Sequence, residues 1–178
     1  GAHGVGAGDI NGDGKMDILG YFRSGTNNVI DLYLANGWGF TIQPRQTFPS
    51  NSNSESEVWL AGDFNADGQS DLAILAKLAT QSIKISPYLS SGRQFVATTA
   101  TTVTAANSNA SPKTYTTKLG DFNGDSATDL LMLLGNGTGT DYVAVTSSNG
   151  VFTMQSSWLY PGAKFTGDYN GDGLTDTL

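Results

Sequence analysis

Short apolar runs recur along the chain, each one following a loop rich in Asp, Asn and Gly. They are Ile18-Leu19, Leu72-Ala73-Ile74-Leu75 and Leu130-Leu131-Met132-Leu133-Leu134. Between the loops, apolar and polar residues alternate with a period of two, the signature of strands half-buried on one face. In the best-defined stretch this predicts a first strand over 58–62, a loop, and a second strand over 71–78. A third strand over 82–89 and a fourth over 93–102 follow, separated by the turn Ser90-Ser91-Gly92. Strong helix formers are sparse outside the apolar runs, so an all-β chain is expected. No run reaches the ~18 apolar residues of a membrane-crossing helix, and membrane insertion is not expected. The opening Gly1-Ala2-His3-Gly4 has no signal-peptide character.

The alternation is organised into repeats. The loops read GDINGDGKMDIL, GDFNADGQSDLAIL, GDFNGDSATDLLML and GDYNGDGLTDTL, and their first aspartates are Asp9, Asp63, Asp121 and Asp168. A second landmark, the glycine of a turn, lies downstream in three of them: Gly37, Gly92 and Gly150. Tandem units of about 40–50 residues with four strands each are blades of a β-propeller. The chain is therefore expected to be one domain, 1–178, of four-stranded antiparallel blades. Three are full (about 4–57, 58–114 and 115–161) and one is partial (162–178), with each acidic loop between a blade's first and second strands. Propellers close with about 4–8 blades. Strand counting thus predicts either self-association through the open ends or membership of a longer propeller.

Charge sharpens the reading of the loops. The formal net charge is −7, yet 12 of the 16 acidic residues sit in the four loops. Four divalent cations would bring −7 to +1, so the acidity belongs to metal sites, not to a patch for basic partners. Nine scattered Lys and Arg argue against nucleic acid as a partner. The absence of cysteine removes disulfides and thiolate sites.

Calcium takes about 6–8 oxygen ligands from carboxylates, amides, backbone carbonyls and water. Alternate positions of each loop can supply them. In the first loop these are Asp9, Asn11, Asp13, the carbonyl of Lys15, and Asp17; in the second, Asp63, Asn65, Asp67, the carbonyl of Gln69, and Asp71. The third offers Asp121, Asn123, Asp125, the carbonyl of Ala127, and Asp129; the fourth, Asp168, Asn170, Asp172, the carbonyl of Leu174, and Asp176. An all-oxygen set disfavours zinc and copper, and up to four Ca2+ ions are expected. The sixth position must turn sharply, which suits Gly14, Gly68 and Gly173 but not Ser126. An EF-hand is excluded because its twelfth-position glutamate is replaced by Gly20, Ile74 and Met132.

These loops resemble the FG-GAP/VCBS repeat family, which includes the calcium-loop blades of integrin-α propellers, several lectins, and secreted bacterial enzymes and toxins. The resemblance implies an ion in the hairpin between the first two strands of each blade. The chain departs from the family in lacking the Gly-Ala-Pro element and in carrying Ser126.

Other chemistry is thinly supported. Ser–His catalysis would need His3, at a terminus expected to be mobile. Glu55 and Glu57 could pair on one strand face, but a solvated edge is the plainer reading. Trp59 and Trp158 are expected in the core or between blades, whereas Trp38, in a hairpin tip, is either a sugar platform or packed onto the neighbouring blade. No enzymatic activity is expected. The function expected is an extracellular calcium-binding recognition module, lectin-like or adhesive, for a glycan or extracellular protein. The alternative is a non-catalytic accessory propeller of a larger secreted enzyme or toxin.

Overall fold

The computed structural model describes residues 3–50, 57–79, 82–104, 116–135, 140–154 and 166–177. Among them the chain is all-β, with antiparallel sheets and no helix. Sheet I contains β1 (His3–Gly8), β2 (Asp17–Ser24) and β3 (Asn27–Ala35), with β4 (Phe40–Ile42) and β5 (Gln46–Pro49) sharing the outer edge of β3. Sheet II repeats this order: β6 (Glu57–Gly62), β7 (Asp71–Ala79) and β8 (Ser82–Ser90), then β9 (Phe95–Ala97) and β10 (Thr101–Thr104) on the outer edge. Sheet III contains β11 (Thr116–Gly120), β12 (Asp129–Gly135), β13 (Thr140–Ser148) and β14 (Val151–Met154). Sheet IV is the pair β15 (Thr166–Gly167) and β16 (Asp176–Thr177).

The expected first three strands are present, but the fourth is broken in two. Ile42 faces Tyr33 and Gln46 faces Ile30, so three residues oppose two across the gap. Ala97 facing Tyr88 and Thr101 facing Ile85 give the same count in sheet II. One extra residue is a bulge, which bends the edge strand without losing all its bonds. Gln43 N–H still donates to the Leu32 carbonyl (2.9 Å) and Thr98 N–H to that of Pro87 (3.0 Å). Alternation alone cannot reveal the extra residue.

Consecutive sheets pack face to face, because both faces of β7 are apolar. Leu72 and Ile74 join Leu19, Ile30 and Leu32 of sheet I in one cluster. Ala73 and Leu75 face the other way and meet Phe64, Leu130, Met132 and Phe152 in a second cluster. Each fully buried Leu or Phe there contributes roughly 1.5–3 kcal/mol. Trp59 is an inter-sheet residue as expected, stacked on Tyr21 at 4.4 Å between ring centroids; Trp158 and Glu55 lie outside the described residues. Glu57 opens β6 and accepts a hydrogen bond from the Ser50 hydroxyl at 2.7 Å. The first strand is firmer than its glycines suggest: His3, expected in a loose terminus, pairs with Phe22, and the register holds to Gly8 opposite Asp17. Glycine at position 4 is what lets the strand pass Tyr21, whose ring fills the place a Cβ would take.

Candidate metal centre

All four acidic loops lie at the same end of their sheets, each joining the first strand to the second. Their first, third and fifth positions converge. In the first loop the Asp13 N–H donates to Asp9 Oδ1 and to Asn11 Oδ1, both at 3.0 Å, so these two oxygens lie side by side. Gly14 N–H closes the loop onto Asp9 Oδ2 (2.8 Å), and Lys15 N–H donates to Asp13 Oδ1 (3.0 Å). The second loop repeats this with Asp67 N–H on Asp63 and Asn65, and Gly68 N–H on Asp63 at 2.8 Å. In the third and fourth, Ser126 and Gly173 N–H donate to Asp121 and Asp168 at 2.9 and 3.0 Å. The third-position amide nitrogen leans on the fifth-position carboxylate in every loop, from 3.0 to 3.3 Å.

The ninth position has a role that the spacing does not show. Asp17, Asp71 and Asp129 are buried, and each holds two backbone donors, one from its own loop and one from the end of the third strand. Asp17 takes Ile10 N–H (2.9 Å) and Ala35 N–H (2.8 Å); Asp71 takes Phe64 N–H (2.9 Å) and Ser90 N–H (2.7 Å). Asp129 takes Phe122 and Ser147 N–H at 2.9 and 2.8 Å. Asp176 takes Tyr169 N–H at 3.0 Å. Among the described residues no three acidic side chains come together as a carboxylate cage. What each loop gathers is two carboxylates, one amide oxygen and backbone.

The donor set fits a hard cation nonetheless. All the convergent acceptors are oxygens, and an oxygen that takes one N–H keeps a lone pair for a metal. Burial pushes the Asp71 carboxyl up to about 6 and raises that of Asp129 as well, against the hydrogen bonds that favour their charged forms. A cation beside such a carboxylate would restore its charge. In the first loop a cation of the chain itself acts at the fifth position: the Lys15 ammonium lies 2.9 Å from Asp13 and holds that carboxyl below the ordinary aspartate range.

Backbone conformation tells the loops apart. The sixth position has positive φ throughout: Gly14 at 80°, Gly68 at 84°, Gly173 at 86°, and Ser126 at 68°. The fourth position also has it, at Gly12, Gly124 and Gly171, and here the second loop departs from the rest, with Ala66 at 59°. The asparagine-glycine dipeptides carried that signal in the sequence, and Ala66 was its exception.

The loops are also tied to one another. Ser70 N–H donates to the Asp9 carbonyl (2.7 Å), Thr128 N–H to that of Asp63, and Thr175 N–H to that of Asp121, both at 2.6 Å. Beside the first loop, an open cleft of about 760 Å3 is lined by Asn11, Asp13, Lys15, Asn36, Gln43 and Arg93, among others. Trp38 sits in the adjoining turn, its N–H on Asn36 Oδ1 at 3.0 Å, and its side chain is fully exposed (101%). It is not packed onto a neighbouring sheet.

Residues 9–74, the stretch that holds the first two loops, match the family model of the FG-GAP-like repeat. No curated protein matches the sequence. The fold is similar to parts of three rhamnogalacturonan lyases. For rhamnogalacturonan lyase PL11 of Bacillus licheniformis the TM-score is 0.63 at 16% identity, covering 99% of this chain and 40% of that one. For lyase YesW the TM-score is 0.63 at 14% identity, covering 100% and 40%; for the exotype lyase YesX it is 0.60 at 16%, covering 98% and 38%. The chain thus spans about two fifths of the length of these enzymes, and the likeness is one of fold.

Proposed function

We propose that the chain is a non-catalytic, extracellular recognition module of a calcium-binding β-propeller, with a glycan as its ligand. The observation that carries this is Trp38, wholly exposed beside a cleft lined by amide, hydroxyl and charged groups. An aromatic face with polar neighbours suits a sugar, whose C–H face stacks while its hydroxyls exchange hydrogen bonds. Calcium would be held by the first-, third- and fifth-position side chains and the seventh-position carbonyl, with the ninth-position carboxylate bracing the loop from beneath. When bound, it would supply positive charge that relieves the gathered carboxylates, with water completing its oxygen shell. The free calcium outside cells suits loops of this kind.

The neighbouring folds direct the first probe, since all three are described as acting on rhamnogalacturonan. A glycan array that includes rhamnogalacturonan fragments, run with calcium and with chelator, should show binding that Trp38→Ala abolishes. That substitution should leave the melting temperature unchanged, because nothing packs on the indole. Chelation should lower the melt, and magnesium should restore little of it. No binding to any glycan in calcium refutes the recognition reading. It would favour the second one, an accessory module of a larger secreted enzyme, for which the partial coverage of the three lyases speaks.

A further inference from the structure

The cleft beside the first loop belongs to the junction between sheets I and II. Leu34 shares a cluster with Leu72, Ile74 and Tyr88 of sheet II, and Thr41 stands opposite Leu34 on β4. Asn36 Nδ2 donates to Thr41 Oγ1 at 3.3 Å, so these three side chains lie on the face of sheet I that looks toward sheet II. The facing wall is Ser91-Gly92-Arg93, the turn of sheet II. That turn leans on the first loop, with Asn11 Cα 3.9 Å from the place of a Cβ on Gly92. Every wall of the cleft is thus supplied by repeats inside this chain.

The turns at the two junctions differ in their tips. In sheets I and II the closing bonds run from Asn36 N–H to the Gly39 carbonyl and from Ser91 N–H to that of Gln94, which puts Gly37-Trp38 and Gly92-Arg93 at the tips. In sheet III Ser148 faces Val151, and the tip is Asn149-Gly150. Gly150 lies against the second repeat. Its N–H donates to the Phe64 carbonyl (3.0 Å), and a Cβ there would stand 2.7 Å from Leu89, the counterpart of Leu34. Between sheets I and II the matching carbonyl, that of Ile10, is met by the Ser90 hydroxyl at 2.5 Å, which also accepts the Gly92 N–H at 3.0 Å. The turn of sheet II stands off from Leu34, and Arg93 borders the space between them.

Charge gives that space its character. Its charged lining residues are Asp13, Lys15 and Arg93. Arg93 is exposed and makes no ion pair with a described residue. Lys15 is held by Asp13, yet Asp13 is the fifth-position carboxylate of the loop, and a calcium ion would draw on the same oxygens. The seventh position is Gln69, Ala127 or Leu174 in the other loops, so the lysine is particular to the loop beside the cleft. With a divalent ion balancing Asp9 and Asp13, Lys15 and Arg93 are left uncompensated among the amides and hydroxyls of Asn36, Thr41, Gln43 and Ser91.

We propose, resting on the reading of this cleft as a glycan site, that its ligand is an acidic glycan with a ring carboxylate held by Arg93 and Lys15. The guanidinium fork matches a carboxylate, and the ammonium adds a point charge beside it. Calcium in the first loop and the sugar acid in the cleft then favour each other, since the ion takes Asp13 from Lys15 and the acid takes Lys15 from Asp13. Coupling of this kind is reciprocal.

Titration calorimetry of the whole chain at buffered free calcium tests this, with trigalacturonic acid and its trimethyl ester as probes. The acid should bind more tightly than the ester. Arg93→Gln and Lys15→Gln should each weaken the acid roughly tenfold, the worth of one hydrogen bond to a charged group, and the ester far less. Arg93→Lys, which keeps the charge, should restore part of the loss. The acid should also tighten calcium binding in the parent chain but not in Lys15→Gln. Equal affinities for acid and ester would overturn this inference and leave glycan recognition standing, as would an acid preference that survives both substitutions. A glycan array on which neither acidic nor neutral sugars bind would remove the recognition reading itself, and this inference with it.

Discussion

Replacing Gly62 by alanine tests the junction between sheets II and III directly. The added methyl would stand 2.8 Å from Thr128 Cγ2, 3.1 Å from its Cβ and 3.2 Å from Phe64 Cε1. Carbon pairs are at their best near 3.5–4.0 Å, so something must shift. Thr128 cannot retreat freely, because its N–H is held by the Asp63 carbonyl at 2.6 Å. Phe64 is wholly buried, at 5.2 Å from the Phe152 ring. Overpacking of this kind costs about 1–3 kcal/mol, and the loss of glycine's freedom in the unfolded chain returns about 0.4–1 kcal/mol. The net expected loss is therefore about 1–2 kcal/mol, at roughly 2–4 °C of melting temperature per kcal/mol for a chain of this size. Circular dichroism melts in calcium supply the measurement. Two companions isolate the cause. Thr128→Ser in the Gly62→Ala background removes the closest atom and should recover part of the loss. Gly167→Ala, which among the described residues meets nothing closer than 3.5 Å, should stay within about 0.5 kcal/mol of the parent. A Gly62→Ala chain that melts at or above the parent, or one that Thr128→Ser does not help, would show that the junction is not a close-packed joint.

Ser90→Ala should cost more than Ser147→Ala, by roughly 1 kcal/mol in urea unfolding. Among the described residues the Ile10 carbonyl loses its only side-chain donor, whereas Phe64 keeps the Gly150 N–H at 3.0 Å; equal losses would refute this. Ser126→Gly and Ala66→Gly should each stabilise by about 1 kcal/mol by relieving a left-handed residue, and a fall in melting temperature for either would mean that the serine or alanine is held by contacts worth more than the strain. In the metal-free chain, acidification from pH 7 to 5 should raise stability by on the order of 1 kcal/mol through Asp71. Its folded pKa of about 6 lies above the ordinary 3.8, so its contribution is complete below that value and is lost as pH rises through 6. The Asp13 carboxyl works in the opposite sense, but only below 3.8. A metal-free melt that falls over pH 7 to 5 would place Asp71 among unperturbed carboxylates.

The four loops, and the first three strands of sheet II, were readable from residue spacing, because a strand's period of two and a loop's alternating acids both act within one segment. What escaped was set by contacts between segments. The ninth-position aspartate looks like the first and the fifth, and only the approach of Ala35, Ser90 or Ser147 turns it into a brace for the third strand. The eighth position reads as Met, Ser, Thr, Thr, and its meaning lies in the glycine of another repeat. The bulges that split the outer strands add one residue per edge, which shifts the alternation no more than a turn would. Trp38 was ambiguous because its neighbours Gly37 and Gly39 suit a turn in either setting, and the fold leaves it in water.

The first aspartate of each loop serves two structures at once. The carboxylate of Asp63 closes its own loop through Asp67 and Gly68, while its carbonyl carries Thr128 of the next repeat. A loop that loses its shape therefore slackens its neighbour's anchor as well as itself. Disorder that begins in one loop is thus passed to the repeat that follows it, from Asp9 to Ser70, from Asp63 to Thr128 and from Asp121 to Thr175.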